Sequence, residues 1–164
     1  MPIRAARPEE APLLSELALR SKGHWGYDSD FLERCREELR LRPAEIVRRR
    51  TAVAEVRGRI AGFVTVDGDP PGGELGMLFV DPPFIGRGVG GLLFRHALAV
   101  AATLGIRRLE FGADPNAEPF YLAMGAVRIG VCPSGSIPGR QLPLMAIDTA
   151  TGAAAGADGS ERDQ

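Results

Sequence analysis

The spacing of apolar residues changes along the chain and separates helical from extended segments. A helical spacing predicts helices over 8–23, 31–40, 93–104 and 118–124. Proline and acidic residues open the first of these, aspartate or serine side chains can cap the second, and a glycine ends the third. The first and third of these helices each have one apolar face.

Between the helices the residues are rich in β-branched side chains, which is typical of strands. The predicted strands are 3–7, 51–56, 60–66, 74–80, 106–111, 126–131 and 142–147. Gly58-Arg59 separates the second from the third and indicates a hairpin. Because helices and strands interleave around this hairpin, the pattern predicts an α/β (α+β) chain with a central mixed sheet.

The chain has 164 residues, which suits one domain. No large apolar residue follows Ile147. We therefore expect a folded domain over 1–147 and a disordered C-terminal tail over 148–164, because such a segment cannot bury enough surface to offset its ordering entropy.

Composition narrows the function. A net charge of -1 gives no electrostatic case for nucleic acid, and no apolar run is long enough to span a membrane. Cys35 and Cys132 lack a metal-binding spacing, so no metal is expected. Without a recognisable signal peptide, the expected location is the cytoplasm.

A glycine-rich turn, Gly86-Arg87-Gly88-Val89-Gly90-Gly91, lies between a predicted strand and a predicted helix. Such a turn binds anions, because its N–H groups and the helix dipole favour a phosphate. Taken literally it matches the dinucleotide fingerprint, with Glu110 as the ribose-binding acid. However, it lies mid-chain, and residues 81–84 separate strand from glycines. A Walker A loop is excluded because Leu92-Leu93 replaces its lysine and hydroxyl. A hinge without a ligand is the remaining alternative.

Two motifs together resemble the GCN5-related N-acetyltransferases. Leu78-Phe79-Val80-Asp81-Pro82 followed by the glycine turn is similar to that family's coenzyme A-binding motif, although Ile85 replaces its usual Arg or Gln. Asn116, Phe120, Tyr121 and Gly125 resemble its second motif. The resemblance implies a single-domain fold with a mostly antiparallel twisted sheet flanked by helices, and acetyl-coenzyme A as cosubstrate. It implies that these residues bind the cofactor: Leu78, Phe79, Val80, Gly86, Arg87, Gly88, Val89, Gly90, Gly91 and Asn116.

The resemblance also implies catalytic roles. Tyr121 would protonate the departing thiolate, and Glu74 would accept the proton of the attacking amine. The alternatives are a core tyrosine with a satisfied hydroxyl, and an exposed carboxylate near a strand end. Asn116 is equally well explained as a helix N-cap. Neither cysteine is needed, because the amine attacks the thioester directly.

The acceptor pocket is expected after the first helix, where His24, Trp25 and Tyr27 lie, with Arg140 in a later polar loop. A structural histidine, a core tryptophan and an ordinary hairpin loop are the alternatives. The predicted function is N-acetylation of a primary amine on a small molecule or peptide. A non-catalytic acyl-coenzyme A sensor is the alternative, and a homodimer is the commonest symmetric assembly.

Overall fold

The computed structural model describes residues 1–150. It contains one seven-stranded sheet with the order β1-β2-β3-β4-β5-β7-β6. The strands are β1 Ile3–Ala5, β2 Ala52–Val56, β3 Arg59–Asp67, β4 Gly72–Val80, β5 Arg108–Gly112, β6 Val127–Pro133 and β7 Gln141–Asp148. Within the described chain, β4 and β5 are the one parallel pair, and the other neighbours are antiparallel. The predicted mixed, mostly antiparallel sheet is therefore confirmed.

Four α-helices flank the sheet: α1 Ala11–Gly23, α2 Ser29–Cys35, α3 Val89–Thr103 and α4 Glu118–Ala123. Short 3₁₀ turns at Pro8–Glu10, Pro43–Glu45 and Pro82–Phe84 each begin with proline, which has a suitable fixed φ. The Asp28 carboxylate caps α2 by accepting the Phe31 N–H at 2.8 Å. The predicted second helix was too long, because the chain continues after Cys35 as turns and not as helix.

The sheet has a separate apolar core on each face. Leu93, Phe94 and Ala97 of α3 are fully buried in one core, and Leu14 and Leu17 of α1 are fully buried in the other. Burying each leucine or phenylalanine contributes roughly 1.5–3 kcal/mol. The two cores fix α1 and α3 on opposite sides of β4, the strand that both helices contact.

β4 and β5 separate soon after they meet. They pair only from Gly72↔Arg108 to Glu74↔Glu110, whereas β4 continues along β3 as far as Val80. Gly76 lies at a register irregularity between β3 and β4, where an added Cβ would lie 2.6 Å from Arg49 Nη2. A larger residue there would have to displace the Arg49 and Asp67 side chains, which are paired with each other. The diverging strands open a gap in the middle of the sheet.

The described chain continues past the predicted domain boundary. β7 ends at Asp148, and Thr149 is buried, with its N–H and hydroxyl donating to the Arg107 and Ile106 carbonyls at 3.0 Å and 2.8 Å. The remainder of the predicted tail, 151–164, lies outside the described residues. Among residues 1–150, no helix is long and apolar enough to cross a membrane.

Candidate active site

The gap between β4 and β5 is part of a cleft of about 650 Å³. One end is lined by the glycine turn at the start of α3, and the other by residues of α1 and of the β6–β7 loop. The strand β4 forms its floor along nearly its whole length. The cleft thus joins the two regions that the sequence assigned to cofactor and acceptor.

The open edge of β4 offers backbone hydrogen-bonding groups to a ligand. The Asp81 N–H donates to the Ala61 carbonyl of the β3 side at 2.8 Å. Because backbone polar groups alternate along a strand, those of Val80 and Leu78 point the other way, into the gap. An extended molecule with amide groups can therefore pair with this edge as a further strand would.

The glycine turn presents the N-terminus of α3 to the same cleft. Gly86 and Gly88 have φ values of 83° and 81°, a left-handed conformation that disfavours other residues. Gly88 is the N-cap of α3 and has no side chain that could cap the helix. The first hydrogen bond of the helix runs from the Leu92 N–H to the Gly88 carbonyl, at 3.1 Å. The preceding N–H groups have no partner within the helix, and with the helix dipole they suit a phosphate group.

Two side chains near this turn, Ile85 and Arg87, contribute no positive charge to the cleft. Ile85 is 41% exposed and lines the cleft, where it offers no hydrogen bond. The Arg87 guanidinium lies 5.7 Å from the Phe84 ring centroid and is not part of the cleft lining. In this conformation the backbone, and not Arg87, is what the turn presents to an anion.

Glu74 lines the cleft and belongs to the last residue pair of β4 and β5, opposite Glu110. Its side chain is exposed, yet the walls remove enough water to raise its pKa, and the Asp67 charge adds to this while Arg49 opposes it. The Arg49 guanidinium does not pair with Glu74, because it donates to both carboxylate oxygens of Asp67 at 2.9 and 3.0 Å. Within residues 1–150, Glu74 forms no ion pair of its own, so its carboxylate is free to take a proton.

Tyr121 is a buried residue of α4, and its ring centroid lies 4.7 Å from that of Phe111. It lines the cleft, and no described residue forms a hydrogen bond with its hydroxyl. The structure therefore does not support the alternative that Tyr121 is a core tyrosine whose hydroxyl has a hydrogen-bond partner in the protein. Burial raises the pKa of Tyr121, and the negative charge of Asp114 adds to the rise. The phenol consequently keeps its proton at neutral pH.

Asp114 is the centre of a polar network on the acceptor side. Its carboxylate accepts hydrogen bonds from the Tyr27 hydroxyl at 2.9 Å and pairs with Lys22 Nζ at 2.9 Å. Asn116 donates its N–H and its side-chain amide to the same carboxylate at 2.9 and 3.0 Å. Although its side chain is little exposed, these donors hold the pKa of Asp114 below its usual range.

The predicted acceptor residues are only partly brought together. Trp25 lines the cleft and is 45% exposed, so it is not a core tryptophan. Tyr27 does not line the cleft, and its hydroxyl donates to Asp114. His24 is exposed, packs edge-on to Trp25 with centroids 5.6 Å apart, and does not line the cleft. Arg140 does line it, and it donates to the Tyr27 hydroxyl at 2.7 Å.

Asn116 is not the N-cap of the following helix, and its assignment to the cofactor stays a prediction. Its side chain donates to the Tyr27 hydroxyl at 3.1 Å, and the N-cap of α4 is Ala117. Lys22, which lies in the region expected to form the acceptor pocket, and Asp114, which sequence reasoning did not assign to the site, both line the cleft. The Asp114-Pro-Asn116 turn directly after a buried strand was the available signal, since an aspartate there is placed at the sheet edge.

Comparison with known proteins agrees with this geometry. A family model described as the acetyltransferase (GNAT) family matches residues 14–126. The chain therefore belongs to the acetyltransferase (GNAT) family. No curated protein matches the sequence significantly.

Solved structures share the fold. A GCN5-related N-acetyltransferase from Rhodopseudomonas palustris superposes with a TM-score of 0.77 at 24% identity, covering 90% of this chain and 94% of that one. PaiA N-acetyltransferase from Thermoplasma acidophilum, in complex with coenzyme A, gives 0.75 at 20% identity over 90% and 98%. The GNAT-like decarboxylase GphF, in complex with isobutyryl-CoA, gives 0.66 at 21% identity over 91% and 100%. At these identities the likeness concerns the fold.

Proposed function

We propose that this protein transfers an acetyl group from acetyl-coenzyme A to a primary amine of a small molecule or peptide. The observation that carries the proposal is the single cleft that joins the glycine turn, the open edge of β4, Glu74 and Tyr121. Family membership supports acyl transfer. Structures of the same fold that hold coenzyme A or acetyl-coenzyme A support the donor.

The donor fits the backbone of the cleft. A pyrophosphate suits the N–H groups of residues 86–91 and the positive end of the α3 dipole. The amides of a pantetheine arm suit the outward-pointing groups of Leu78 and Val80. Because glycines make up most of this turn, few side chains prevent the close approach of a phosphate.

Glu74 and Tyr121 supply the proton transfers. An acceptor amine with a pKa of about 10 is mostly protonated at neutral pH, and Glu74 accepts the proton that must leave. The nitrogen then attacks the thioester carbon, forming the C–N bond, while an N–H of the β4 edge stabilises the carbonyl oxygen. The C–S bond breaks, and Tyr121 donates its proton to the departing thiolate. The attacking nitrogen then loses its second proton through water to the Tyr121 phenolate, which gives the neutral amide and restores the phenol.

Direct attack is favoured over a covalent enzyme intermediate. Burial and the nearby charge of Glu74 raise the pKa of the Cys132 thiol, which disfavours the nucleophilic thiolate. Cys35 is buried, and neither histidine forms a hydrogen bond with a cysteine in the described chain. A ternary complex of donor, acceptor and protein is therefore the proposed reacting state.

Ligand-induced stabilisation and product analysis test the proposal. A ligand that binds only the folded state raises the melting temperature, so acetyl-coenzyme A and coenzyme A should do so whereas NADH and ATP should not. Mass spectrometry should then find an acceptor amine heavier by one acetyl group in an amine panel. Stabilisation without any acetylated amine would favour the acyl-coenzyme A sensor, and stabilisation by NADH alone would overturn the cofactor assignment.

A further inference from the structure

Three cations line the cleft, and Arg140 differs from the other two. Lys22 Nζ lies 2.9 Å from an Asp114 oxygen, and Arg49 binds Asp67 at 2.9 and 3.0 Å. Arg140 lies 3.8 Å from Asp114, too far for a hydrogen bond. Lys22 and Arg140 therefore share the single negative charge of Asp114, with Lys22 closer, so the group of three carries one excess positive charge.

Arg140 is nevertheless held in place. Its guanidinium lies 5.2 Å from the Tyr27 ring centroid and 4.9 Å from that of Phe31, and these two rings stack on each other. The Ser134 N–H donates to the Arg140 carbonyl at 2.8 Å and closes the loop at its base. A guanidinium fixed by stacking loses little freedom when it binds a ligand.

Most donors of Arg140 remain available. A guanidinium has five N–H groups, and within residues 1–150 the Tyr27 hydroxyl is the one acceptor of a hydrogen bond from this side chain. Glu38 is a further carboxylate lining the cleft, but it binds the Ser136 hydroxyl and forms no ion pair with Arg140. A carboxylate matches the planar fork of a guanidinium, because its two oxygens can accept two parallel N–H donors.

We propose that Arg140 binds a carboxylate of the acceptor, so that the acceptor is an amino acid or another molecule that carries both an amine and a carboxylate. This inference rests on the proposed function, since it assigns the amine to Glu74 and the carboxylate to Arg140. It makes Arg140 a determinant of acceptor specificity that does not act on the donor.

The test compares acceptors that differ only in the carboxylate. ω-Amino acids from glycine to 6-aminohexanoate, and their carboxamides, are titrated calorimetrically into the protein saturated with coenzyme A. At least one amino acid should bind roughly 10- to 100-fold more tightly than its carboxamide, the range expected of charge-assisted hydrogen bonds. Arg140→Gln should abolish that difference, and Arg140→Lys should restore part of it.

Arg48→Gln is the matched control, because Arg48 is exposed and lies outside the cleft. Unchanged binding of coenzyme A shows that each variant is folded. Equal affinity of every amino acid and its carboxamide in the wild type would overturn the inference, as would an equal loss for both on Arg140→Gln. Turnover is measured separately: selective binding without acetylation would support the carboxylate site and contradict the proposed function.

Discussion

The two ends of the cleft are built in different ways. The donor end comes from the contiguous stretch 78–91, and its working groups belong to the backbone. The acceptor end combines side chains from α1, the α1–α2 connection, the end of β5 and the β6–β7 loop, which meet at Asp114. The difference suggests that the donor site is set by backbone conformation and that selectivity for the acceptor is set by side chains.

The largest effect is expected where the two ends meet. Tyr121→Phe should lower kcat by roughly 10²- to 10⁴-fold, the usual contribution of a general acid. Affinity for coenzyme A should be unchanged, because the lost hydroxyl has no partner in the described protein. Steady-state kinetics and calorimetry measure the two quantities.

Tyr27→Phe is the natural comparison, since these are the two tyrosines of the chain. It should raise the KM of the acceptor by disturbing Asp114 and Arg140, with little effect on kcat. If Tyr121→Phe turned over as fast as the wild type, Tyr121 would not be the proton donor.

Glu74→Gln is expected to lower kcat by about 10²-fold through loss of the proton acceptor. Glu110→Gln is its matched control, because Glu110 is the β5 register partner of Glu74 and does not line the cleft. Full activity in Glu74→Gln, or an equal loss in both variants, would contradict the assignment of the base.

The pH dependence of activity and stability also tests the role of Glu74 as the proton acceptor. Because the pKa of Glu74 is raised in the folded protein, wild-type kcat/KM should fall with decreasing pH at a higher pH than an ordinary glutamate would give. The ionised form is disfavoured in the fold, so stability should decline as pH rises through the interval between the unfolded and folded pKa values. Glu74→Gln should remove both dependences.

Backbone control of the donor end is tested with two glycines. Gly88 and Gly58 have φ values of 81° and 77°, and an added Cβ meets no atom within 4 Å at either. Alanine at either position should cost about 1–2 kcal/mol of stability. Only Gly88→Ala should also weaken coenzyme A binding, by about 10-fold, because it alters the N-terminus of α3. Equal affinity in the two variants would argue against a backbone site.

The smallest expected effect is an increase in affinity for coenzyme A. Ile85 occupies the position where the family pattern has Arg or Gln, and it is exposed in the cleft. Ile85→Arg should tighten coenzyme A binding about 3- to 5-fold, the effect of an exposed ion pair, and the gain should shrink at high salt. Ile85→Leu should leave affinity unchanged. A weaker or salt-independent effect of arginine would place the pyrophosphate elsewhere.

Features formed by residues that are neighbours in the sequence were predicted better than features formed by residues far apart in it. Hydrophobic spacing and glycines located β4, the turn at 86–91 and α3, since each depends on neighbouring residues. The acceptor side depends on contacts across the chain: Asp114 was missed because its ion-pair partner Lys22 is 92 positions away. The assignment of Asn116 to the cofactor stays a prediction, and the hydrogen bond from its amide to Tyr27 is a contact that no local pattern reveals.

Amide hydrogen exchange with and without acetyl-coenzyme A tests the central claim most directly. The account predicts slower exchange within 78–91 when the donor binds, because its N–H groups gain acceptors, and no comparable change in the loop 134–140. Slower exchange confined to 134–140, or none in 86–91, would contradict the proposed division of the cleft into a backbone-bound donor and a side-chain-bound acceptor.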